Sequence, residues 1–261
     1  MIKYFHFARM AFQDYANHHV RLATRFCVYT LLAWVMIELW KVIYASGYGP
    51  SGITLHDMGW YNGIVQMMFF LSPRLFVIID EDVRSGNIGY FLNRPMPYLW
   101  MRLSEGLGSL CVHLILFFTL GVAFLYFYLG AAWPSYGVQS VIMALALLVG
   151  GSVLHLLFQV CCGLSTFWTN DGVFIYNAYM KIILLLGGIY LPIHLYPSFM
   201  PIGLIELLPF SSMVGAPSAL LIGVGNFWEI LGLQIFWMIA VFTFLNYFYA
   251  VCLKKVEVHG G

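Results

Sequence analysis

Long apolar runs alternate with short polar connections along the chain. Six runs are long enough to cross a hydrocarbon core, which needs roughly 20 helical residues. They lie near 24–45, 58–79, 103–128, 138–168, 174–194 and 226–252, and the fourth is long enough to tilt or to project beyond the bilayer. Before the first run, Phe5, Ala8, Phe12 and Tyr15 recur at helical spacing, while Arg9, Gln13 and Asn17 fall elsewhere on the wheel. This pattern predicts an interfacial amphipathic helix over 1–22, covering a surface with its apolar stripe. Prolines at 192, 197, 201, 209 and 217 interrupt the chain between the fifth and sixth runs. Proline breaks a helical ladder, yet this region is too apolar for an aqueous loop. Short re-entrant helices over 195–225, buried in protein or lining a cavity, meet both constraints.

The most polar stretch is EDVRSGNIGYFLNRPMPYLWMR, from Glu81 to Arg102. Asp80, Glu81, Asp82 and Arg84 mark exit from the second run, since ionised groups are expensive in lipid. Ser85-Gly86 is a turn signal, and Ile88, Phe91 and Leu92 then share one face of a short helix. Pro95 ends it, because a residue before proline, here Arg94, is biased away from helical geometry. Composition alone leaves 80–102 open between an interfacial loop and an organised helical element.

Charge fixes the setting. Of 261 residues 62% are hydrophobic and 9% charged, with a mean hydropathy of +0.85. A soluble domain averages about 25% charged residues, so this composition describes an all-α polytopic membrane protein. The net charge of +1 offers no field for nucleic acid. Lys3, Arg9, Arg21 and Arg25 precede the first run, Arg84, Arg94 and Arg102 follow the second, and Lys254 and Lys255 follow the sixth. The connections 46–57, 130–137 and 195–225 contain no Lys or Arg. The positive-inside rule therefore predicts that both termini and 80–102 are cytoplasmic, which six spans satisfy. The opening residues do not read as a signal peptide. Five cysteines supply no CxxC pair and no disulfide framework.

Polar residues within the runs have modest readings. Glu38 and Lys41, three apart, read first as an ion pair and second as a polar patch in a transport path. Lys181 can snorkel to the interface. His155 and Cys162 share a helical face two turns apart, but with Cys161 they do not complete a zinc set, and no metal site is expected. His113 and His194 look isolated.

An acidic exit from the second span followed by RSGNIGYFLNRPMPYLW resembles a signature in permeases of the type-2 (ABC-2) group of ABC exporters. There a Ser-Gly turn, here Ser85-Gly86, precedes a short helix ending in Leu-x-Arg-Pro, here Leu92-Asn93-Arg94-Pro95. The amphipathic N-terminal helix, the six spans and the proline-broken outer segment agree, as does LPFSSMVGAPSALLIG more weakly. The resemblance implies a single permease domain over 1–261 in a bacterial plasma membrane, paired with a second, identical or homologous permease and two cytoplasmic ATPase subunits. It implies that 81–97 is a coupling helix, with Ile88, Phe91 and Leu92 packing into an ATPase groove and Glu81, Asp82, Arg84, Arg94 and Pro95 setting its register. The substrate route would run between permease copies along spans one, two and five, capped outside by a gate at Pro201, Pro209 and Pro217. The chain has no G-x-x-x-x-G-K-[ST] phosphate loop, so no cofactor is expected in it, and ATP and Mg belong to the partner ATPase. The cargo class that follows is a hydrophobic or amphipathic drug, peptide, lipid or glycoconjugate. The alternatives are a membrane-embedded lipid-modifying or redox enzyme, a non-transporting assembly factor, and ion-driven transport, for which no paired-half repeat is evident.

Overall fold

A computed structural model describes residues 2–92 and 96–259, which are helical apart from short turns and contain no strand. Helix α1 (Ile2–Asn17) bends at His18 into α2 (His19–Ala45). Next come α3 (Leu55–Leu71), α4 (Leu75–Arg84) and the short α5 (Asn87–Leu92). Helix α6 (Tyr98–Leu116) continues through one wide turn at Phe117–Gly121 into α7 (Val122–Tyr128). Then follow α8 (Gly137–Leu164), the single turn α9 (Thr166–Thr169) and α10 (Gly172–Leu186). Three short helices, α11 (Ile202–Leu207), α12 (Pro209–Met213) and α13 (Gly215–Ala219), precede the long α14 (Phe227–His259).

Side-chain pairings fix the direction of each helix. Tyr29 packs on Phe117 and Glu38 reaches Tyr128, so α2 runs parallel to α6 and α7. Tyr29 also meets Phe70, while Tyr44 donates to Ile53 O at 2.8 Å, so α3 runs the opposite way. Gln234 bonds Leu147 O and Cys252 approaches Leu164 O, which aligns α14 with α8. The chain thus passes six times between two ends. One end gathers the Lys- and Arg-free connections 46–54, 129–136 and 187–226. Five passes are long and apolar enough to cross a membrane, whereas α10 has only 15 residues. It spans about 22 Å at 1.5 Å per residue. Gly187 and Gly188 end it well short of the 194 expected, the latter at φ +72, a conformation costly for other residues.

The second run is also broken. A continuous helix over 58–79 is expected from apolarity, but Ser72–Arg74 interrupts it because Pro73 lacks an N–H and pushes Ser72 to ψ 136. The break is repaired by distant side chains. Arg25 donates to Phe70 O at 3.4 Å and Ser72 O at 3.1 Å, and Leu75 N donates to Gln159 Oε1 at 2.9 Å.

Burial separates centre from periphery. Helix α3 is enclosed around nearly its whole circumference, and α8 shares the core with it. By contrast α2 leaves Leu31, Trp34, Leu39 and Val42 exposed, and α14 leaves Trp228, Phe236 and Ile239 exposed. Such wide apolar faces suit lipid or another membrane helix as neighbour. Helix α1 turns Tyr4, Phe7, Ala8, Ala11 and Tyr15 inward and leaves Phe5 exposed, a small rotation from the stripe read in the sequence. Its seat is α6, with Tyr4 beside Trp100 and Tyr15 beside His113.

The proline-broken segment folds as short helices set into the end of the bundle. Pro209 occupies the first turn of α12, where a missing N–H costs nothing. Close backbone approach holds the segment down: a Cβ on Gly151 of α8 would lie 2.4 Å from Met213 O. Gly151→Val is therefore expected to lower stability by about 2 kcal/mol or more, read as a fall of several degrees in the thermal unfolding midpoint of the detergent-solubilised protein.

Candidate functional site

The polar stretch after the second run forms an arm, α4 and α5, held on both flanks. Successive residues on a helix point about 100° apart, so alternate carboxylates of the acidic trio diverge. Asp80 is buried and accepts from Thr166 Oγ1 and Gly172 N, both at 2.7 Å, with Arg84 at 3.5 Å. Gly172 N begins α10, where uncompensated N–H groups and the helix dipole favour a carboxylate. Asp82 turns to the other flank. It accepts from Tyr98 OH at 2.5 Å and from Arg102 Nε at 3.0 Å, with a second, short contact from the same guanidinium. Arg102 also donates to Glu105 at 2.6 Å. Glu81, between the two, is exposed.

The short helix is present where the spacing predicts it, and Ile88 and Phe91 pack within the chain. Ile88 is only 4% exposed. Phe91 packs on the Tyr98 ring at 5.8 Å and lies under the Arg102 guanidinium at 5.0 Å. Ile88 and Phe91, expected to pack into an ATPase groove, and Asp82, expected to set its register, make these contacts within the chain. A six-residue helix packs its apolar side chains on the nearest available wall, and for Phe91 that wall is α6, 7 to 11 residues on. The outward face is instead Glu81, Arg84, Ser85, Asn87 and Tyr90, the last 66% exposed. Leu92 closes α5, while Arg94 and Pro95 lie outside the described residues. Sequence reasoning missed Tyr90, Tyr98, Arg102 and Thr166. Only Arg102, a charge at the start of an apolar run, carried a local signal.

Above the arm, the break at Pro73 opens a cavity of about 650 Å³ between α2, the α3–α4 junction and α10. Arg25 and Arg74 line it together with Tyr176, Asn177 and the Phe69, Phe70 and Phe76 rings, and among the described residues no Asp or Glu does. Arg25 is held by its two carbonyl contacts and by His113 Nε2 at 2.6 Å, so His113 is not isolated.

Glu38 and Lys41 pair at 2.6 Å, and Tyr128 hydrogen-bonds the same carboxylate. They are half-exposed, face α7 and do not line this cavity. At the opposite end, Pro201 precedes α11, Pro209 opens α12 and Pro217 is buried within α13. These helices border a second cavity of about 540 Å³ lined by His194, Glu206 and Glu229. Burial lowers the His194 pKa against the opposing pull of Glu206, which favours a neutral imidazole at neutral pH. His155 shares a 2.8 Å hydrogen bond with Tyr179, and Cys162 is buried beside α4. Among the described residues no three His, Cys, Asp or Glu side chains are grouped to hold a metal ion.

Two comparisons with known proteins bear on this arrangement. The profile of the family described as "ABC-2 family transporter protein" matches residues 30–260. No curated protein sequence matches the chain.

Proposed function

From the premise that the chain belongs to the ABC-2 family of transporter proteins, we propose that it is the permease of an ATP-driven exporter for a hydrophobic or amphipathic substrate. Two cytoplasmic ATPase subunits, which bind ATP and Mg, would supply the energy, and a second permease, identical or homologous, would complete the route. Residues 1–261 act as one permease unit with both termini in the cytoplasm of a bacterial cell, a reading supported by the gathering of Lys- and Arg-free connections at one end. The substrate route follows the cavity beside α2, α4 and α10, and the helices at Pro201, Pro209 and Pro217 close its outer end.

The observation that carries this reading is the anchoring of the arm. Asp80 ties α4 to α10 and Asp82 ties it to α6, so a force on the exposed face of α5 reaches both helices through buried, charge-assisted bonds. A bare loop would absorb that displacement. Register with an ATPase is set by Glu81, Arg84, Asn87 and Tyr90, with Arg94 and Pro95 following in sequence.

The test is co-expression with a candidate ATPase, followed by co-purification and measurement of ATP turnover. Tyr90→Asp is expected to weaken association about tenfold or more, as loss of an aromatic anchor does at a protein interface. The thermal unfolding midpoint should stay unchanged, because Tyr90 is mostly exposed. Full association and turnover in this variant would remove α5 from the docking surface.

A further inference from the structure

We infer that the cavity at the Pro73 break holds the anionic headgroup of an amphipathic molecule, with Arg25 and Arg74 as its ligands. This rests on the transport reading for its place on a route, but the binding itself does not require transport. The two guanidinium groups share a cavity of about 650 Å³ that, among the described residues, no carboxylate lines. Neither arginine makes an ion pair among the described residues. Among the described residues no other Lys or Arg lines this space.

Two like charges in one partly apolar space repel, and a shared anion converts that repulsion into two charge-assisted contacts. Arg25 is pre-positioned for this role. Its contacts to Phe70 O, Ser72 O and His113 use part of its five-donor fork and fix its plane. Arg74 stands at the head of α4, just after the Pro73 break, and is exposed, so it can close over a ligand. The rest of the wall decides between a bare anion and an amphiphile. Val28, Phe69, Phe76, Val77 and Met180 give it an apolar surface suited to an alkyl chain. Bidentate recognition by arginine favours phosphate or carboxylate over an uncharged polar head.

The experiment uses the full chain purified in the uncharged detergent dodecyl maltoside, with radiolabelled dodecyl phosphate as probe. Saturable binding is expected, weakened about tenfold or more by Arg74→Gln, the loss of one charged hydrogen-bonding partner. Arg74→Lys, which keeps the charge but not the fork, should bind more tightly than Arg74→Gln and more weakly than the parent protein, and Lys254→Gln, which changes an exposed charge outside the cavity, should leave the affinity unchanged. Dodecanol and inorganic phosphate should each compete at least about tenfold more weakly than unlabelled dodecyl phosphate, since each offers half of the recognition. Equal competition by dodecanol, or unchanged affinity in Arg74→Gln, would overturn anion recognition. Equal competition by inorganic phosphate would overturn the amphiphile in favour of a free anion. No ATPase is present, so failure here leaves the transport reading to the co-purification test, and failure there leaves this binding intact.

Discussion

Replacing Asp82 with alanine is expected to cost about 3 kcal/mol of stability, because it leaves the Arg102 guanidinium buried with half of its partners removed. Arg102 is 8% exposed, and its remaining partner, Glu105, lies at the more open side of the cluster. Tyr98 OH loses its acceptor in the same step. At roughly 2–4 °C per kcal/mol for a chain of this size, the thermal midpoint should fall by about 6–12 °C. A double-mutant cycle with Arg102→Ala isolates the pair. If the two groups form one buried clamp, the double variant should be more stable than the sum of single losses by about 1 kcal/mol or more. Additive losses would show that Asp82 and Arg102 act independently, and the arm would then lack its anchor to α6. The expected functional signature is specific too. At temperatures where Asp82→Ala remains folded, association with the ATPase should persist through Tyr90 while substrate-stimulated turnover falls.

That clamp also shows where the sequence was legible and where it was not. The short helix was readable from Ile88, Phe91 and Leu92 because local spacing determines helicity and the Ser85-Gly86 turn bounds it. Which wall the apolar face meets was not readable, since Tyr98 and Arg102 are reached only after a turn whose geometry local pattern does not set. The divergence of Asp80 and Asp82 follows from helical geometry, but their partners Thr166, Gly172 and Arg102 are 20 to 92 residues away. Apolar length located the six helical passes, five of which are long and apolar enough to cross a membrane. Two boundaries did not, and both had signals in plain view. Pro73 breaks the second run, and Gly187-Gly188 ends the fifth, yet an apolarity window averages over single residues. The cavity beside Arg25 was beyond sequence reasoning, because it exists only where the Pro73 break and the start of α10 face the same stretch of α2. Glu38 and Lys41 carried the more conspicuous intramembrane charges, and the structure pairs them with each other and with Tyr128 instead.

Gly108→Leu is expected to unseat the N-terminal helix altogether. A Cβ at this position would lie 2.0 Å from Ala8 O and 2.8 Å from its carbonyl carbon, so the obstruction is backbone and cannot rotate away. Helices approach this closely only where one contributes a glycine, which is how small residues serve at helix interfaces in membranes. Any side chain forces α1 from α6 by an ångström or more, and leucine is too large for local adjustment. The contacts of Tyr4 with Trp100 and of Tyr15 with His113 would be lost together, since one rigid helix carries both rings. Trypsin provides the readout. Arg9 lies mid-helix on the exposed side, and cleavage there requires local unfolding, which a seated helix suppresses. Cleavage at Arg9 should accelerate about tenfold or more in Gly108→Leu, corresponding to loss of at least about 1.4 kcal/mol of local stability. Gly108→Ala should give an intermediate rate. Gly232→Leu is the control, because a Cβ on Gly232 meets nothing within 4 Å. If Gly108→Leu is cut no faster than Gly232→Leu, α1 does not depend on α6 for its seat. If it is cut faster, the same variant separates two inputs to the permease. Association with the ATPase through Tyr90 should survive, so any loss of coupled turnover would belong to the displaced α1 rather than to α5.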